Sequence, residues 1–279
     1  WDYQPEDVIA KGRVGPGQML VIDTETGNIM DTKAVGRQLK KAHPYRLWLR
    51  ENAVRLRDDE QLEEKAYEQR ETGEHLLALQ KMFHITNEER TEIIRPSAEN
   101  GQEAVGSMGD DTPMAVLSRR NRPLYDYFRQ AFAQVTNPPI DPLREACVMS
   151  LTTQLGRETN IFHAGAETVN HVILNSPVLS QRKLRQLLAL PRFADANRLL
   201  HLYFDADTET LEGALHRLCA EAEAATRAGI EILLLSDRYP RRGTVPVHAL
   251  LATGAIHLHL VRAGLRCDVN LLIETGTAR

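Results

Sequence analysis

Four groups of residues in this sequence have types and spacings that could do chemistry. Asp237-Arg238 follows directly on the apolar run Ile230-Glu231-Ile232-Leu233-Leu234-Leu235. If that run is a parallel strand, the pair falls at its carboxyl end, where α/β proteins place binding residues. A loop salt bridge or the cap of a following turn is the other reading. Gly106-Ser107-Met108-Gly109 has the glycines of a phosphate loop, but Asp110-Asp111 would set two carboxylates beside the anion. A turn with a cap suits these residues better, and a carboxylate-held Mg2+ is the lesser alternative. His257-Leu258-His259 sits late in an expected helix, where positions i and i+2 point about 200° apart and cannot share one metal. Finally, Thr136-Asn137-Pro138-Pro139-Ile140-Asp141-Pro142 holds three prolines, which fix φ and remove three backbone donors. Its carbonyls suit a domain junction or the lining of a polar passage; a stiff link between helices is the plainer reading.

The usual catalytic signatures are absent. There is no G-x-x-x-x-G-K-[ST], no G-x-S-x-G and no H-E-x-x-H, and nothing in the spacing of Ser, His and Asp nominates a triad. Gly12-Arg13-Val14-Gly15-Pro16-Gly17 follows no strand, and Pro16 breaks a helix start, so it is not a dinucleotide loop. Cys147, Cys219 and Cys267 are odd in number and widely spaced, as free thiols in a reducing cytoplasm would be, and no pair has metal-ligand or redox spacing. Over 279 residues, 34 Lys+Arg against 38 Asp+Glu leave a net charge of −4, without the basic footprint of a nucleic-acid binder. No apolar run reaches membrane-spanning length, and Trp1-Asp2-Tyr3-Gln4-Pro5-Glu6-Asp7 is no signal peptide. The expectation is a cytoplasmic protein with neither nucleic-acid nor membrane partners. The lack of an initiator Met suggests an excised segment of a longer chain.

The elements that must position these groups follow from the pattern. Residues 18–32 carry two short β-prone runs around Gly27, which predicts a hairpin. From about 45 to 82 the chain reads as long, charged connector helix, and Thr86-Asn87-Glu88-Glu89 as a capping box opening a helix that Arg95-Pro96 ends. Residues 96–113 read as a structured loop, and 123–135 and 142–151 as helices. Strand 199–204, a helix from a Thr208 cap to Gly229, strand 230–235, helix 247–263 and strand 269–273 complete the pattern. Strand and helix alternate as in βαβ units with a parallel sheet. The fold class is α/β, with an N-terminal β-hairpin and charged connector helices ahead of a parallel-sheet βαβ domain.

Two long blocks say more than the chemistry does. Ile94-Arg95-Pro96-Ser97-Ala98-Glu99-Asn100-Gly101 through Asp110-Asp111-Thr112-Pro113, and Pro123-Leu124-Tyr125-Asp126-Tyr127-Phe128 through Pro142-Leu143-Arg144-Glu145, closely resemble the glutamate synthase large-subunit family. The likeness continues at Leu174-Asn175-Ser176-Pro177, Leu233-Leu234-Leu235-Ser236-Asp237-Arg238 and Gly254-Ala255-Ile256-His257, with departures at Leu258 and at Thr275-Gly276-Thr277. The resemblance implies that 1–40 is the tail of a glutamine amidotransferase domain, 41–95 a helical connector and 96–279 a truncated α/β central domain. It implies a parent that converts glutamine, 2-oxoglutarate and reductant to two glutamates, passing ammonia through an internal tunnel. FMN and an iron–sulfur cluster would belong to the parent, and neither to this segment. The partners implied are the adjoining glutaminase and FMN-binding domains and a small reductase subunit.

By the same resemblance Thr136, Asn137 and Ile140 are the candidates for the ammonia tunnel, and Gly106, Ser107, Asp110 and Asp111 for an interdomain contact. Asp237 and Arg238 are secondary candidates. They would be the site if the chain were instead a free-standing α/β enzyme or nucleotide-binding protein. No residue is assigned a catalytic or metal-binding role, and the isolated segment is expected to be catalytically silent.

Overall fold

A computed structural model describes residues 4–56, 72–101, 116–119, 122–128, 148–160 and 162–278. They fall into two units, Trp1–Ala53 with Ile161–Asn170, and Val54–Asn160 with His171–Arg279.

The smaller unit opens on the expected hairpin. Strands β1 (Leu20–Ile22) and β2 (Ile29–Asp31) pair antiparallel with Val21 opposite Met30. Asp23 builds the turn: its carboxylate accepts from the backbone N–H groups of Glu25 and Thr26, and its carbonyl from Gly27. Gly27 has φ +73°, a left-handed conformation that favours glycine. The Asp31 side chain then caps helix α1 (Thr32–Ala42), accepting from Ala34 N–H at 2.7 Å. Helix α2 (Tyr45–Asn52) follows Pro44, with Trp48 stacked on His43 at 5.2 Å. None of the described residues of this unit is buried.

The larger unit corrects the reading of 45–82 as helix throughout. Ala53 is extended, and Val54–Arg55 forms strand β3. Val54 N–H and Leu56 N–H donate to the carbonyls of His171 and Ile173, both at 3.0 Å, and Leu56 is buried. A β-branched residue followed by a buried Leu gains more from that pairing than from one more helical turn. Residues 57–71 lie outside the described residues, and Gly73–Met82 is helix α3. The capping box is present, with Glu89 N–H donating to Thr86 Oγ1 and Thr86 N–H to the Glu89 carboxylate, and it opens α4 (Asn87–Glu89).

Pro96 does not end this helix as expected. A π-helical turn at Arg90–Ile94 resets the ladder, so that Arg95 N–H reaches the Arg90 carbonyl. Helix α5 (Arg95–Asn100) follows without a break, with Pro96 as its second residue. Gly101, at φ +61°, closes it. The loop reading of 96–113 is therefore corrected at 96–100, and 102–113 lie outside the described residues. The helix expected from Pro123 is a 3-10 turn, Leu124–Tyr127, followed by extended Phe128, while 129–135 lie outside the description. Tyr125 donates its hydroxyl to Glu89 at 2.7 Å and so ties that turn down. Most of 142–151 is also outside the description; Leu151 itself is not helical.

Two sheets follow. Strand β5 (Val172–Leu174) lies between β3, parallel to it, and β4 (Thr153–Leu155), antiparallel to it. Ser180 caps helix α6 (Gln181–Leu188) by accepting from Lys183 N–H. The run expected as one strand over 199–204 divides. Strand β6 (Asn197–His201) joins the parallel sheet, and β7 (Tyr203–Phe204) turns away to pair with β9 (Val245–Pro246). Leu202 is the pivot, donating to Ser236 and accepting from Val247.

Helix α7 (Leu211–Arg227) is capped by Thr210 and not Thr208, whose N–H is held in a turn by Asp205. Strand β8 (Ile232–Ser236), helix α8 (Ala249–Arg262) and strand β10 (Asn270–Glu274) complete a sheet of order β10-β8-β6, parallel throughout. The expected βαβ arrangement is thus present.

Alternation along β8 builds two interiors. Leu233 and Leu235 pack with Ala214, Leu218, Ala222, Ala252, Ile256 and Leu260, the inward stripes of α7 and α8. Ile232 faces the other way, onto Leu187, Phe193 and the β4–β5 residues Leu155, Val172 and Leu174. Every residue of β8 is buried, as a strand covered on both faces requires.

Candidate functional site

The parallel register brings the carboxyl ends of β8 and β10 side by side, with Ser236 opposite Glu274. Asp237 and Arg238 leave β8 at that edge and Thr275 and Gly276 leave β10. This is the edge of a parallel sheet where ligands bind in α/β proteins. Together with Gln181 at the start of α6, they line one side of a cleft of about 910 Å3. Leu79, Phe83, Leu179 and Leu272 line the apolar part.

The two carboxylates there are held differently. Asp237, only 1% exposed, accepts from the hydroxyl of Thr275 and from Gly276 N–H at 3.0 Å. Burial pushes its carboxyl up from the ordinary value; these two hydrogen bonds pull against that, and the negative charge of Glu274 adds to it. Glu274 is also penalised by burial. Yet it accepts from Ser236 Oγ at 2.6 Å, from Gln181 Nε2 at 3.1 Å and from Arg238 Nη1 at 3.1 Å, and together these hold it below the ordinary value. Arg238 also lies over the ring of Tyr239 at 5.3 Å. Burial, with the negative charges of Asp237 and Glu274, drives the Tyr203 phenol upward. Its hydroxyl has no hydrogen-bond partner among the described residues.

The arrangement fixes strand ends rather than aligning a nucleophile with a base. Each carboxylate oxygen of the pair takes at least one donor. Gly276 extends the network: a Cβ built there would lie 2.8 Å from the ring of Phe83, so only glycine lets that ring pack against the β10 exit. Sequence reasoning placed Asp237 and Arg238 at the strand end and missed Ser236, Gln181, Glu274 and Thr275. Polar residues closing two successive apolar strands, Ser-Asp after one and Glu-Thr after the next, were the available signal.

Other candidates fall elsewhere. Thr136, Asn137, Ile140, Gly106, Ser107, Asp110 and Asp111 lie outside the described residues. The two histidines of α8 have separate partners: His259 Nε2 meets Glu223 of α7 at 2.7 Å, and His257 Nδ1 accepts from Arg266 at 3.0 Å. Among the described residues, no group of three or more His, Cys, Asp or Glu could hold a metal ion. Cys219 is buried on α7 and Cys267 is exposed, which does not fit an iron–sulfur cluster. The cleft does not fit a flavin phosphate either, because its polar side presents two carboxylates and its arginine is already paired with one of them. No helix among the described residues is long and apolar enough to cross a membrane.

Comparison with known proteins gives this arrangement its context. Residues 78–279 match the family described as the glutamate synthase central domain, and residues 1–48 match class-II glutamine amidotransferases. The chain is 40% identical over 277 residues to ferredoxin-dependent glutamate synthase 2, chloroplastic, of Arabidopsis thaliana, covering 96% of this chain and 16% of that protein. It is 37% identical over 278 residues to the glutamate synthase (NADPH) large chain of Bacillus subtilis, covering 100% of this chain and 18% of that one. To ferredoxin-dependent glutamate synthase 2 of Synechocystis it is 38% identical over 282 residues, 99% of this chain and 18% of the relative. The chain therefore belongs to the glutamate synthase family and carries its central domain. It spans less than a fifth of the length of these relatives.

Proposed function

We propose that this chain is the segment of a glutamate synthase large chain that joins the amidotransferase domain to the part that makes glutamate, and that it guides ammonia between them without a reaction centre of its own. The observation that carries this reading is the order of the two family matches, amidotransferase at 1–48 and central domain at 78–279 on one polypeptide. The commitment of Asp237, Glu274 and Arg238 to one another supports it, since a linking domain needs rigid strand ends more than a free base.

The parent reaction turns glutamine, 2-oxoglutarate and reductant into two glutamates. FMN and an iron–sulfur cluster supply its redox chemistry from other domains, and the described residues fit neither. Partners are the adjoining glutaminase and FMN-binding domains of the same chain and, in an NADPH-type enzyme, a small reductase subunit. Three dispersed cysteines suit a reducing compartment, the cytoplasm in a bacterium.

Neutral ammonia crosses a polar passage most easily where carbonyls accept its hydrogens without fixing it as an ammonium ion. We assign that role to the proline-locked stretch, at Thr136, Asn137 and Ile140, and an interdomain contact to Gly106, Ser107, Asp110 and Asp111. The test is Asn137→Ala and Thr136→Val in the full-length enzyme, following glutamine hydrolysis and glutamate formation together. Ammonia should escape to solvent, so that hydrolysis outruns synthesis. Unchanged coupling in both variants would sink the assignment.

A further inference from the structure

The two histidines late in α8 cannot share a ligand, and the divergence of i and i+2 side chains that forbids it sends them to different neighbours. Arg266 Nε donates to His257 Nδ1 at 3.0 Å, and Arg266 Nη1 donates to the Val269 carbonyl at 2.6 Å. One arginine of the 3-10 turn Arg266–Asp268 thus ties α8 to the residue that leads into β10. A guanidinium has no acceptor to offer, so this contact requires the His257 ring to be neutral, with Nδ1 bare. His259 is the converse. Its Nε2 meets Glu223 of α7 at 2.7 Å, and a carboxylate only accepts, so Nε2 carries the proton. A second proton, on Nδ1, leaves that hydrogen bond in place and turns it into an ion pair.

We propose that this pair is a pH-sensitive switch at the carboxyl end of α8: neutral imidazoles tie the helix to the entry of β10, and protonated ones tie it to α7. Protonation of His257 removes the acceptor of Arg266 and sets a cation against it, while protonation of His259 strengthens its hold on Glu223. The surrounding charges leave both responses intact. On α7, Arg227 and then His259 hold the Glu223 carboxyl below its ordinary value, so it remains charged as imidazoles titrate. On the Arg266 turn, Asp268 is taken by Arg157 at 2.9 Å. Glu231, ahead of β8, is taken by Arg192 at 2.7 Å. Strand β8 has no charged residue, and Glu274 of β10 stands at the far end of its strand from the α8 terminus. Arg262, exposed in the last turn of α8, is the remaining charge among the described residues there. The inference is independent of the linking role, since it needs neither ammonia nor the parent reaction.

Hydrogen–deuterium exchange of the full-length enzyme tests it at about pH 8 and about pH 5.5, with labelling times scaled for the intrinsic pH dependence of amide exchange. Peptides covering 265–271 should exchange about 3- to 10-fold faster at the lower pH on that corrected scale, the effect of one lost tie of this kind. Peptides of α7 covering 220–227 should exchange no faster. His257→Gln, whose amide oxygen can accept from Arg266 at either pH, should abolish the rise at 265–271. His259→Gln should leave that rise in place and should speed exchange at 220–227 relative to wild type at the lower pH. Equal corrected exchange of 265–271 at the two pH values overturns the inference. A rise that survives His257→Gln also overturns it, because the titrating group then lies elsewhere. Both results are read from exchange alone, so the outcome of the ammonia-coupling test does not alter them.

Discussion

The hairpin β1–β2 and the parallel sheet β6-β8-β10 are both made of short apolar runs, but only the sheet has an interior. Leu20, Ile22 and Ile29 of the hairpin are 53%, 58% and 69% exposed, and nothing described in its unit is buried. In β8 all five residues are buried, with α7 and α8 on one face and α6, Phe193 and the short β4–β5 pair on the other. A two-stranded ribbon is marginal in water unless a third element covers it, whereas a strand covered on both faces is stabilised by every side chain. β-propensity writes a strand; burial decides whether the strand is worth anything. Residues 1–48, which include this hairpin, match class-II glutamine amidotransferases.

The sharpest way to break the contrast is to open the larger interior. Phe193 is fully buried against Leu187 and Ile232, so Phe193→Ala should cost about 3–5 kcal/mol in urea unfolding, mostly from lost transfer energy and the cavity. Leu235→Ala on the other face should cost about 2–5 kcal/mol. Ile22→Ala in the hairpin should change the same transition by less than about 0.5 kcal/mol. A comparable loss for Ile22 would mean that the hairpin has a core of its own.

How much of this was legible in the sequence follows the same line. The βαβ order was readable because β8, α7 and α8 carry strong and different periods. The hairpin was readable because Asp23 and Gly27 mark the turn locally. Strands β3 and β4 were not, because Val54–Arg55 and Thr153–Leu155 are strands only through pairing with β5, far away in sequence. The division of 199–204 hung on one residue, Leu202, serving two sheets, and the continuation through Pro96 on a π turn that no composition announces. Of the site, the Asp237-Arg238 end was readable from its place after a strand. Its partner Glu274 required the parallel register.

At that site Gly276 sharpens the comparison, because it is a surface turn whose constraint comes from packing. Gly276→Ala would set a methyl 2.8 Å from the Phe83 ring and should cost about 1–3 kcal/mol by forcing the ring aside. In a Phe83→Leu background the added cost should shrink, and a double-mutant cycle reads the difference as coupling. Strict additivity would show that α3 and the β10 exit do not support one another.

The last and smallest effect is in pH. Glu274 has a folded pKa below its ordinary 4.5, so it contributes stability above that value and loses it as pH falls through the lower folded value. Asp237 has the opposite sign. Its folded pKa is raised above 3.8, so its contribution is complete below that value and is lost as pH rises through the higher folded one. The two carboxylates thus partly cancel in the acid range. Glu274→Gln removes one term that falls with acid and leaves Asp237, so stability between about pH 5 and 3 should fall less than in the wild type as pH drops. Asp237→Asn should do the reverse and steepen the acid loss, while the hairpin variant Ile22→Ala should follow the wild-type curve throughout. Parallel acid curves for all three variants would mean that these hydrogen bonds do not discriminate the two carboxylates, and that the strand ends are held by backbone pairing alone.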